Sequence, residues 1–174
     1  MPEADSYYVE RCLDGHADDY RYLVRRYQGA LLAHLSGRLN VRGDTEEAAQ
    51  EVFVRAFLNL RKLKRPDSFF SWLFGIANHV AQELNRQSRN EQKRRDQYPM
   101  DQQAKSMPGS DRGSDGDLES AIAKLQDPYK VVILLRFYAD CSCSEMAERL
   151  GVPIGTITKR LSRAYSEIRK HLGS

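Results

Sequence analysis

The chain lacks long apolar runs and a secretory signal. No stretch of its 174 residues approaches the ~20 consecutive apolar residues of a membrane-spanning helix, so we expect no membrane insertion. The first residues, MPEADSYYVE, lack the basic-then-apolar pattern of a signal peptide. We therefore expect the protein to stay in the cytoplasm.

Cysteine is scarce, which excludes a disulfide framework. The three cysteines are Cys12, Cys141 and Cys143. The pair Cys141-Ser-Cys143 has no second pair to complete a metal or redox site, and the four histidines are scattered along the chain. We expect Cys141 to fill an apolar position before a helix, and we expect neither a metal nor a cofactor.

Signals of catalysis and of β-structure are also missing. The sequence has no catalytic constellation and no glycine-rich phosphate loop, so an enzyme is not expected. It has no convincing alternation of apolar and polar residues and no internal repeat. The strong helical periods on both sides of residues 91–117 predict an all-α fold.

Positive charge is concentrated rather than spread. The net charge of +3 is small for this length. Residues 118–174 nevertheless hold nine Lys and Arg against six Asp and Glu, and residues 155–172 contain a single acid, Glu167. A local excess of this kind is typical of proteins that contact DNA at defined places.

The segment from Ser142 to Leu172 predicts a helix-turn-helix. Ser142 and Glu145 have the spacing of a capping box, and Gly151 and Pro153 separate a first helix from a second. The second helix has an apolar face formed by Ile157, Leu161, Ala164, Ile168 and Leu172. Its other face is basic and rich in hydroxyls, which suits the DNA major groove. A plain helical hairpin with a solvated basic face is the alternative.

The chain divides into three parts. Residues 118–174 contain the helix-turn-helix unit. Residues 91–117 have few apolar residues and many Pro, Gly, Ser and Asp, which predicts a flexible linker. Residues 1–90 predict a four-helix bundle. Its helices are expected at about Ser6–Gly15, Asp18–Leu39, Thr45–Leu63 and Phe69–Arg89.

The last helix of the bundle has a polar face that could bind nucleic acid. We expect Asn78, His79, Gln82 and Arg86 to be exposed there, and such groups bond base edges and phosphates. We assign the neighbouring Trp72 mainly to the core. The loop of residues 64–68, just before this helix, is where we expect an unstacked base to be held.

Three sequence blocks resemble those of extracytoplasmic-function (ECF) sigma factors, of the sigma-70 superfamily. The block DTEEAAQEVFVRAF at 44–57 is similar to the helix by which sigma domain 2 grips the clamp helices of the largest RNA polymerase subunit. The block SWLFGIA at 71–77 is similar to the promoter-melting helix, and residues 125–169 resemble sigma domain 4. Together, in this order and spacing, the blocks are highly specific for the family.

The resemblance implies a protein that gives promoter specificity to RNA polymerase core. Residues 1–90 would be sigma domain 2 and residues 118–174 sigma domain 4. The implied partners are the clamp helices of the largest subunit, the flap of the second subunit and promoter DNA, together with the anti-sigma factor that members of the family often have.

The resemblance also implies the residues of each contact. Core polymerase would be bound by Asp44, Glu47, Gln50, Glu51 and Arg55. The −10 element would be bound by Lys64, Arg65, Asp67, Ser68, Asn78, His79, Gln82 and Arg86. The −35 element would be bound by Thr156, Thr158, Lys159, Arg160, Ser162 and Arg163.

In the implied mechanism, each of the two units binds a different promoter element. The helix-turn-helix would read the −35 element as duplex, and the bundle would open the −10 element, at a cost of a few kcal/mol per flipped base. The elements lie ~70 Å apart. The 27 residues of the linker have an r.m.s. span of roughly 30 Å and an extended length of about 90 Å, so the linker must be stretched.

Three positions depart from the family pattern. His79 stands where the family commonly has Asn, which leaves open which residue of this helix reads a base. Asp140 replaces a frequent Gly before the helix-turn-helix, and Asp tolerates the left-handed backbone that such a turn uses. Pro128 lies later than the usual Leu-Pro pair, which could move a helix start.

Two other classes of protein fit parts of the sequence. One is a helix-turn-helix regulator that binds duplex DNA without polymerase and uses its N-terminal half for dimerisation or sensing. The other is an interaction protein that titrates an anti-sigma factor. The block at 44–57 and the Trp72 helix argue against a simple regulator, which needs neither.

Overall fold

The computed structural model describes residues 3–40, 45–97 and 115–173. These ranges contain α-helices and short 3-10 turns without a strand, which confirms the all-α prediction. The helices are α1 (Asp5–Leu13), α2 (Tyr20–Ser36), α3 (Thr45–Leu58), α4 (Phe69–Gln97), α5 (Asp115–Ala123), α6 (Asp127–Phe137), α7 (Cys143–Leu150) and α8 (Ile154–Leu172). The 3-10 turns are Ala17–Asp19, Leu60–Lys62 and Pro66–Ser68.

The first four helices pack around the apolar stripes that the sequence predicts. On α3, the predicted stripe of Ala49, Val52, Phe53 and Ala56 is buried. It packs between α2 and α4. Trp72 of α4 is half-buried against this core, in agreement with its assignment there. Burying each large apolar side chain contributes about 1.5–3 kcal/mol, so these stripes hold the bundle together.

The predicted linker begins too early and ends too late. α4 continues to Gln97, and α5 begins at Asp115. Residues 89–97, RNEQKRRDQ, are mostly good helix formers without Pro or Gly, so the helix has no reason to stop at Arg89. Residues 98–114, the rest of the predicted linker, lie outside the described residues.

Two helices of the bundle are shorter than predicted. α2 ends at Ser36, where Gly37 is the C-cap, instead of at Leu39. α3 ends at Leu58, and the 3-10 turn that follows buries Leu60. The apolar period of the sequence therefore continues past the end of the helix. The reason is that an apolar side chain beyond α3, such as Leu60, still reaches the core from the tighter backbone of a 3-10 turn. Asp44, the predicted cap of α3, lies outside the described residues.

The local signals of the helix-turn-helix are confirmed. Ser142 accepts a hydrogen bond from the Glu145 amide at 3.2 Å, and the Glu145 carboxylate accepts one from the Ser142 amide at 2.7 Å. Gly151 has a φ of 63° in the left-handed region, as does Asp140 with a φ of 48°. Leu172, predicted on the apolar face of α8, is instead 47% exposed because the core ends one turn earlier.

The two helical units dock against each other. The guanidinium of Arg149 on α7 lies 5.7 Å from the ring centre of Tyr27 on α2. Arg38, just after α2, forms a salt bridge of 2.5 Å with Asp127 of α6. α7 also packs against α4 and against the 3-10 turn Pro66–Ser68. The buried side chains of both units consequently form one continuous core.

Cys141 is buried close to this docking contact, as expected for a residue in an apolar position. Its Sγ atom accepts a hydrogen bond from Arg149 at 2.8 Å. Burial raises the pKa of the Cys141 thiol to about 11, which keeps it protonated and unreactive at neutral pH. No group of three or more His, Cys, Asp or Glu side chains in the described ranges is placed to hold a metal ion.

Gly37→Ala should loosen the docking of the two units. A Cβ atom at Gly37 would lie 2.9 Å from the Ala123 Cβ atom on α5, a contact too short to keep without moving the backbone. We expect faster amide hydrogen exchange in α5 and α6 of this variant. The matched control is Gly29→Ala, whose Cβ would meet the Tyr138 ring at an ordinary 3.5 Å. Equal exchange rates in the two variants would contradict this prediction.

Candidate nucleic-acid and protein-binding surfaces

The outward face of α3 is apolar at its centre and charged at its edge. Val54, Phe57 and Leu58 are 53%, 39% and 73% exposed, and the Phe57 ring also contacts the Tyr20 ring of α2, with 5.0 Å between the ring centres. Glu47, Gln50 and Glu51 of the predicted core-binding set are exposed on the same side of the helix. Apolar residues surrounded by polar ones on a surface are typical of a protein-binding site.

None of the three apolar residues of this face belongs to the core-binding set predicted from the sequence. The signal was present, because the core positions of α3 are filled by Ala48, Ala49, Val52, Phe53, Ala56 and the following Leu60. Any further apolar residue on this short helix has to face outwards. We call Val54, Phe57 and Leu58, together with Gln50 and Glu51, the α3 surface.

Arg55, another predicted core-binding residue, connects α3 to α4. Its guanidinium donates to Glu51 at 2.6 Å and forms a second ion pair of 2.9 Å with Glu83. The bond from Arg55 lowers the pKa of the Glu83 carboxyl. These side chains are partly exposed, so the pairs add little to stability, but they hold Glu51 in a defined orientation at the edge of the α3 surface.

A basic loop lies between α3 and α4. Lys64, Arg65 and Asp67 are exposed, and the Ser68 hydroxyl donates to the Arg65 carbonyl at 2.7 Å, which shapes the turn. Arg61 and Lys62, which were not in the predicted set, are exposed beside them. On α4, the predicted residues His79, Gln82 and Arg86 are exposed. The structure therefore leaves a basic loop and a polar helix face open to solvent.

Asn78 is not part of that exposed face, which corrects the prediction for this residue. It is half-buried, and its Oδ1 atom is 2.8 Å from Nε2 of the buried His34 on α2. A step of one residue turns a helix by about 100°, so the neighbour His79 faces solvent while Asn78 faces α2. Because Oδ1 can only accept, Nε2 of His34 carries the hydrogen in this bond.

Acid should destabilise the fold through His34. Burial lowers the pKa of His34 from 6.5 to about 4. Below pH 6.5 the unfolded chain therefore takes up a proton that the folded chain refuses, so stability is complete above this pH and falls towards pH 4. The free energy of unfolding should drop by about 2 kcal/mol between about pH 7 and about pH 5.

Urea denaturation at the two pH values measures this loss. His34→Gln keeps an amide beside Asn78 and should remove most of the pH dependence. The matched control His79→Gln, on the solvent side of α4, should retain it. If wild type and His34→Gln lose the same free energy on acidification, another group is responsible.

The outward face of α8 carries most of the predicted −35 residues. Its inward residues Ile157, Leu161, Ala164 and Ile168 are buried. Thr158, Lys159, Ser162 and Arg163 are exposed, whereas Thr156 and Arg160 are half-buried at the sides of the helix. α8 thus presents a continuous polar and basic face about four turns long.

Two side chains of this face already have partners. The Thr158 hydroxyl donates to the Ile154 carbonyl at 3.1 Å, and its oxygen can still accept. Arg163 donates to the Tyr129 hydroxyl of α6 at 3.3 Å, which raises the pKa of the guanidinium. Lys159 lies between them on the helix and points into solvent.

Comparison with known proteins explains this arrangement of surfaces. Residues 23–91 match the family model for sigma-70 region 2, and residues 115–168 match that for sigma-70 region 4. The two matched segments together cover more than half of the chain. The chain belongs to the sigma-70 family of RNA polymerase sigma factors. It acts with RNA polymerase core and directs transcription from specific promoters.

Similarity to individual proteins extends over almost the whole sigma factor. The chain is 26% identical to ECF RNA polymerase sigma factor SigW of Bacillus subtilis, with 94% of each chain covered. It is 28% identical to the ECF RNA polymerase sigma-E factor of Haemophilus influenzae, with 97% of this chain and 95% of the relative covered. The names of these relatives agree with the ECF resemblance that the sequence blocks show.

Solved structures share the fold. CnrH in complex with the cytosolic domain of CnrY has a TM-score of 0.58 at 23% identity, covering 98% of both chains. RpoE in complex with the anti-sigma factor NepR, from Bartonella quintana, has a TM-score of 0.53 at 21% identity, covering 89% of this chain and 97% of that one. No helix in the described part of the sigma factor combines the length and apolarity of a membrane span.

Proposed function

We propose that the sigma factor uses three separate surfaces in transcription initiation. The α3 surface binds the clamp helices of the largest polymerase subunit. The loop of residues 61–68 and the exposed face of α4 open the −10 element and hold its unpaired bases. The outward face of α8 reads the −35 element in the major groove. Support comes from the exposure and chemistry of each surface, above all from the outward apolar residues of α3.

The α3 surface suits a protein partner because it offers hydrophobic area with a polar rim. Leu58 and Val54 have no core to reach, and their exposure costs solubility unless a partner covers them. Gln50 and Glu51 add hydrogen-bonding groups beside them, and Glu47 lies one turn earlier. A second exposed apolar site lies in the C-terminal unit, where the rings of Phe137 and Tyr165 are exposed with their centres 6.2 Å apart. This aromatic pair is our candidate contact for the flap of the second polymerase subunit.

The loop and α4 suit an unstacked base and its phosphates. The cations of the loop can bind phosphates, and Gln82 can bond a base edge in either direction. His79 is exposed at the position where the family commonly has Asn, while Asn78 holds His34. We therefore assign base contact to His79 and Gln82 and a structural role to Asn78.

The docked arrangement of the two units must open during initiation. α7 packs against the 3-10 turn Pro66–Ser68, which belongs to the proposed −10 surface. The two promoter elements are ~70 Å apart, farther than a docked pair of small domains can reach. Polymerase core supplies the energy for separation by binding the units at different places, which explains why a free sigma factor should bind promoters poorly.

The role that we propose is recognition without catalysis. It requires no enzymatic activity, cofactor or metal, and it places the protein in the cytoplasm with polymerase and promoter DNA. Two solved structures with this fold are complexes: CnrH is bound to the cytosolic domain of CnrY, and RpoE is bound to the anti-sigma factor NepR. We therefore also propose that an anti-sigma factor binds this chain. The α3 surface is a site that such a partner could cover.

Run-off transcription with purified core, followed by mapping of the start sites, tests the proposed function. The sigma factor should direct transcripts from defined starts only when core is present. A helix-turn-helix regulator would bind its site unaided, and an interaction protein would yield no transcript. Either outcome would contradict the proposal.

Opening of the −10 element should depend on the exposed face of α4. His79→Ala combined with Gln82→Ala should reduce permanganate reactivity of the downstream thymines several-fold, because unstacked bases lose their hydrogen-bond partners. Binding of core and of the −35 duplex should persist. The control is Arg25→Ala on α2, an exposed residue outside all three surfaces. An unchanged open-complex signal in the double variant would place the opening site elsewhere.

A further inference from the structure

The first residue of α8 is apolar and exposed. Ile154 begins the helix directly after Pro153, and 52% of its surface is open to solvent. Its neighbours Pro153 and Gly155 are exposed as well. Single exposed apolar residues are common on protein surfaces, so the exposure of Ile154 assigns no role by itself. The position of Ile154 on the helix and the chemistry of its surroundings do.

Ile154 lies at the start of the proposed −35 face. Residues four positions apart are neighbours on a helix surface, so Ile154 lies one turn before Thr158 on the same side of α8. The Thr158 hydroxyl donates to the Ile154 carbonyl at 3.1 Å, which places the two residues in contact. The residues at the N-terminus of a recognition helix are the ones that contact base edges. Ile154 therefore lies where a base contact is expected, although it is not among the −35 residues predicted from the sequence.

Nothing in the described parts of the chain covers this end of α8. The helix packs against α5, α6 and α7, and among the described residues it has no packing contact with the N-terminal unit. A Cβ atom at Gly155 would meet nothing within 4 Å, so the space beside Ile154 is open. The Ile154 side chain is consequently available to a binding partner even while the two units are docked.

The chemistry of the side chain selects one group of the major groove. Guanine, cytosine and adenine present hydrogen-bonding groups there, whereas thymine also presents its C5-methyl group. The side chain of Ile154 has no hydrogen-bond donor or acceptor, so the thymine methyl is the group against which it can bury apolar surface.

A protein partner fits Ile154 less well than DNA does. The centre of a protein interface joins several apolar or aromatic residues. Residues 139–164, all of which the structure describes, expose no large apolar side chain other than Ile154. The exposed residues that follow it on the same helix are Thr158, Lys159, Ser162 and Arg163, whose polar groups suit base edges and phosphates.

We infer that Ile154 recognises one thymine of the −35 element by packing on its C5-methyl group. This inference rests on the proposed function, since it takes from it that the outward face of α8 enters the major groove of the −35 element. It deepens that function by naming the base and the chemical group that are read. Ile154 adds a preference for thymine at a single base pair, beside the hydrogen bonds that Thr158 and Lys159 offer.

The test removes the methyl group and leaves every hydrogen-bonding group of the duplex in place. Each thymine of the −35 element, on either strand, is replaced in turn by deoxyuridine, and the affinity of reconstituted holoenzyme for the promoter is measured. Wild type should bind about fourfold more weakly when one particular thymine is replaced, as expected for one methyl-sized group that is no longer buried. Holoenzyme with Ile154→Ala should bind that duplex and the thymine duplex equally well. Ile154→Val, which keeps a branched apolar side chain, should still discriminate between them.

Leu172→Ala is the matched control, because it removes an apolar side chain that is 47% exposed at the other end of the same helix. It should keep the full discrimination against deoxyuridine. The inference is overturned if no replacement weakens wild type, if Ile154→Ala discriminates as wild type does, or if Leu172→Ala loses discrimination to the same extent. It is also overturned if Ile154→Ala reduces the affinity for core, as the loss of a protein contact would.

Failure of the proposed function would look different. In that case the wild-type protein would direct no run-off transcript, or exchange of whole −35 base pairs would leave holoenzyme affinity unchanged. Either result would overturn the proposed function, and the inference about Ile154 with it. Normal dependence on the −35 base pairs, without any effect of the thymine methyl groups, would overturn the inference alone.

Discussion

Leu58→Glu should weaken the binding of the sigma factor to RNA polymerase core by about thirtyfold or more. The side chain is 73% exposed on the α3 surface. Placing a charge where an apolar side chain is buried by a partner costs about 2 kcal/mol or more. The fold should be unaffected, because exposed substitutions usually change the free energy of unfolding by less than about 0.5 kcal/mol.

Titration of fluorescently labelled protein with purified core measures this affinity. Glu51→Arg should act in the same direction, since it reverses a charge at the edge of the same surface and faces Arg55 with a like charge. Leu118→Glu is the matched control, because it places the same charge on a 41% exposed leucine of α5. Wild-type affinity for core in both α3 variants would rule out the α3 surface as the polymerase contact.

Lys159→Ala should cost ~1–3 kcal/mol of promoter affinity if the ammonium reads a base edge of the −35 element. Lys159 is exposed on the first turns of α8, where a recognition helix enters the groove. If Lys159 meets only phosphate, affinity should fall evenly across promoter sequences and the salt slope should decrease by about 1. The two outcomes are separated by measuring holoenzyme affinity for several −35 sequences at several salt concentrations.

The control for this variant is Lys124→Ala, which removes an exposed lysine of the C-terminal unit outside the helix-turn-helix. It should leave both the affinity and the sequence preference unchanged. Transcription at the wild-type level by Lys159→Ala, from a promoter that depends on its −35 element, would contradict both versions of the prediction.

The helix-turn-helix could be predicted closely because its signals are local. A capping box, a left-handed glycine and an apolar stripe each depend on residues within a few positions of one another. Ser142, Glu145 and Gly151 therefore behave in the structure as they do in the sequence pattern. Asp140 in the left-handed region shows that even a departure from the family pattern can be judged from backbone preferences.

The ends of helices were less predictable because stopping a helix depends on competition. Residues 91–97 have strong helix propensity, but their lack of apolar residues suggested a linker. In the structure α4 continues through these residues to Gln97, because neither Pro nor Gly interrupts them. At the other end of the predicted linker, α5 begins at Asp115, three residues before the predicted boundary at residue 118.

The exposed sites were partly predictable. A helical wheel places the outward residues of α8 and α4 correctly within about one residue, which is why Lys159, Gln82 and Arg86 are exposed as expected. It fails for Asn78, since a single 100° step separates a solvent-facing residue from one that meets α2. The identity of the neighbour, His34, comes from 44 residues earlier in the chain and has no local signal.

By itself, the sequence determined the helical class, the helix-turn-helix, the two units and the family, because periodicity, caps and short motifs act over a few residues. Only the tertiary structure decided which polar groups form hydrogen bonds inside the protein and which surfaces are exposed to solvent. The partnership of Asn78 with His34, the docking of α7 on the 3-10 turn Pro66–Ser68 and the outward apolar residues of α3 depend on contacts between distant segments. Such contacts follow from the packing of whole helices, which no short stretch of sequence specifies.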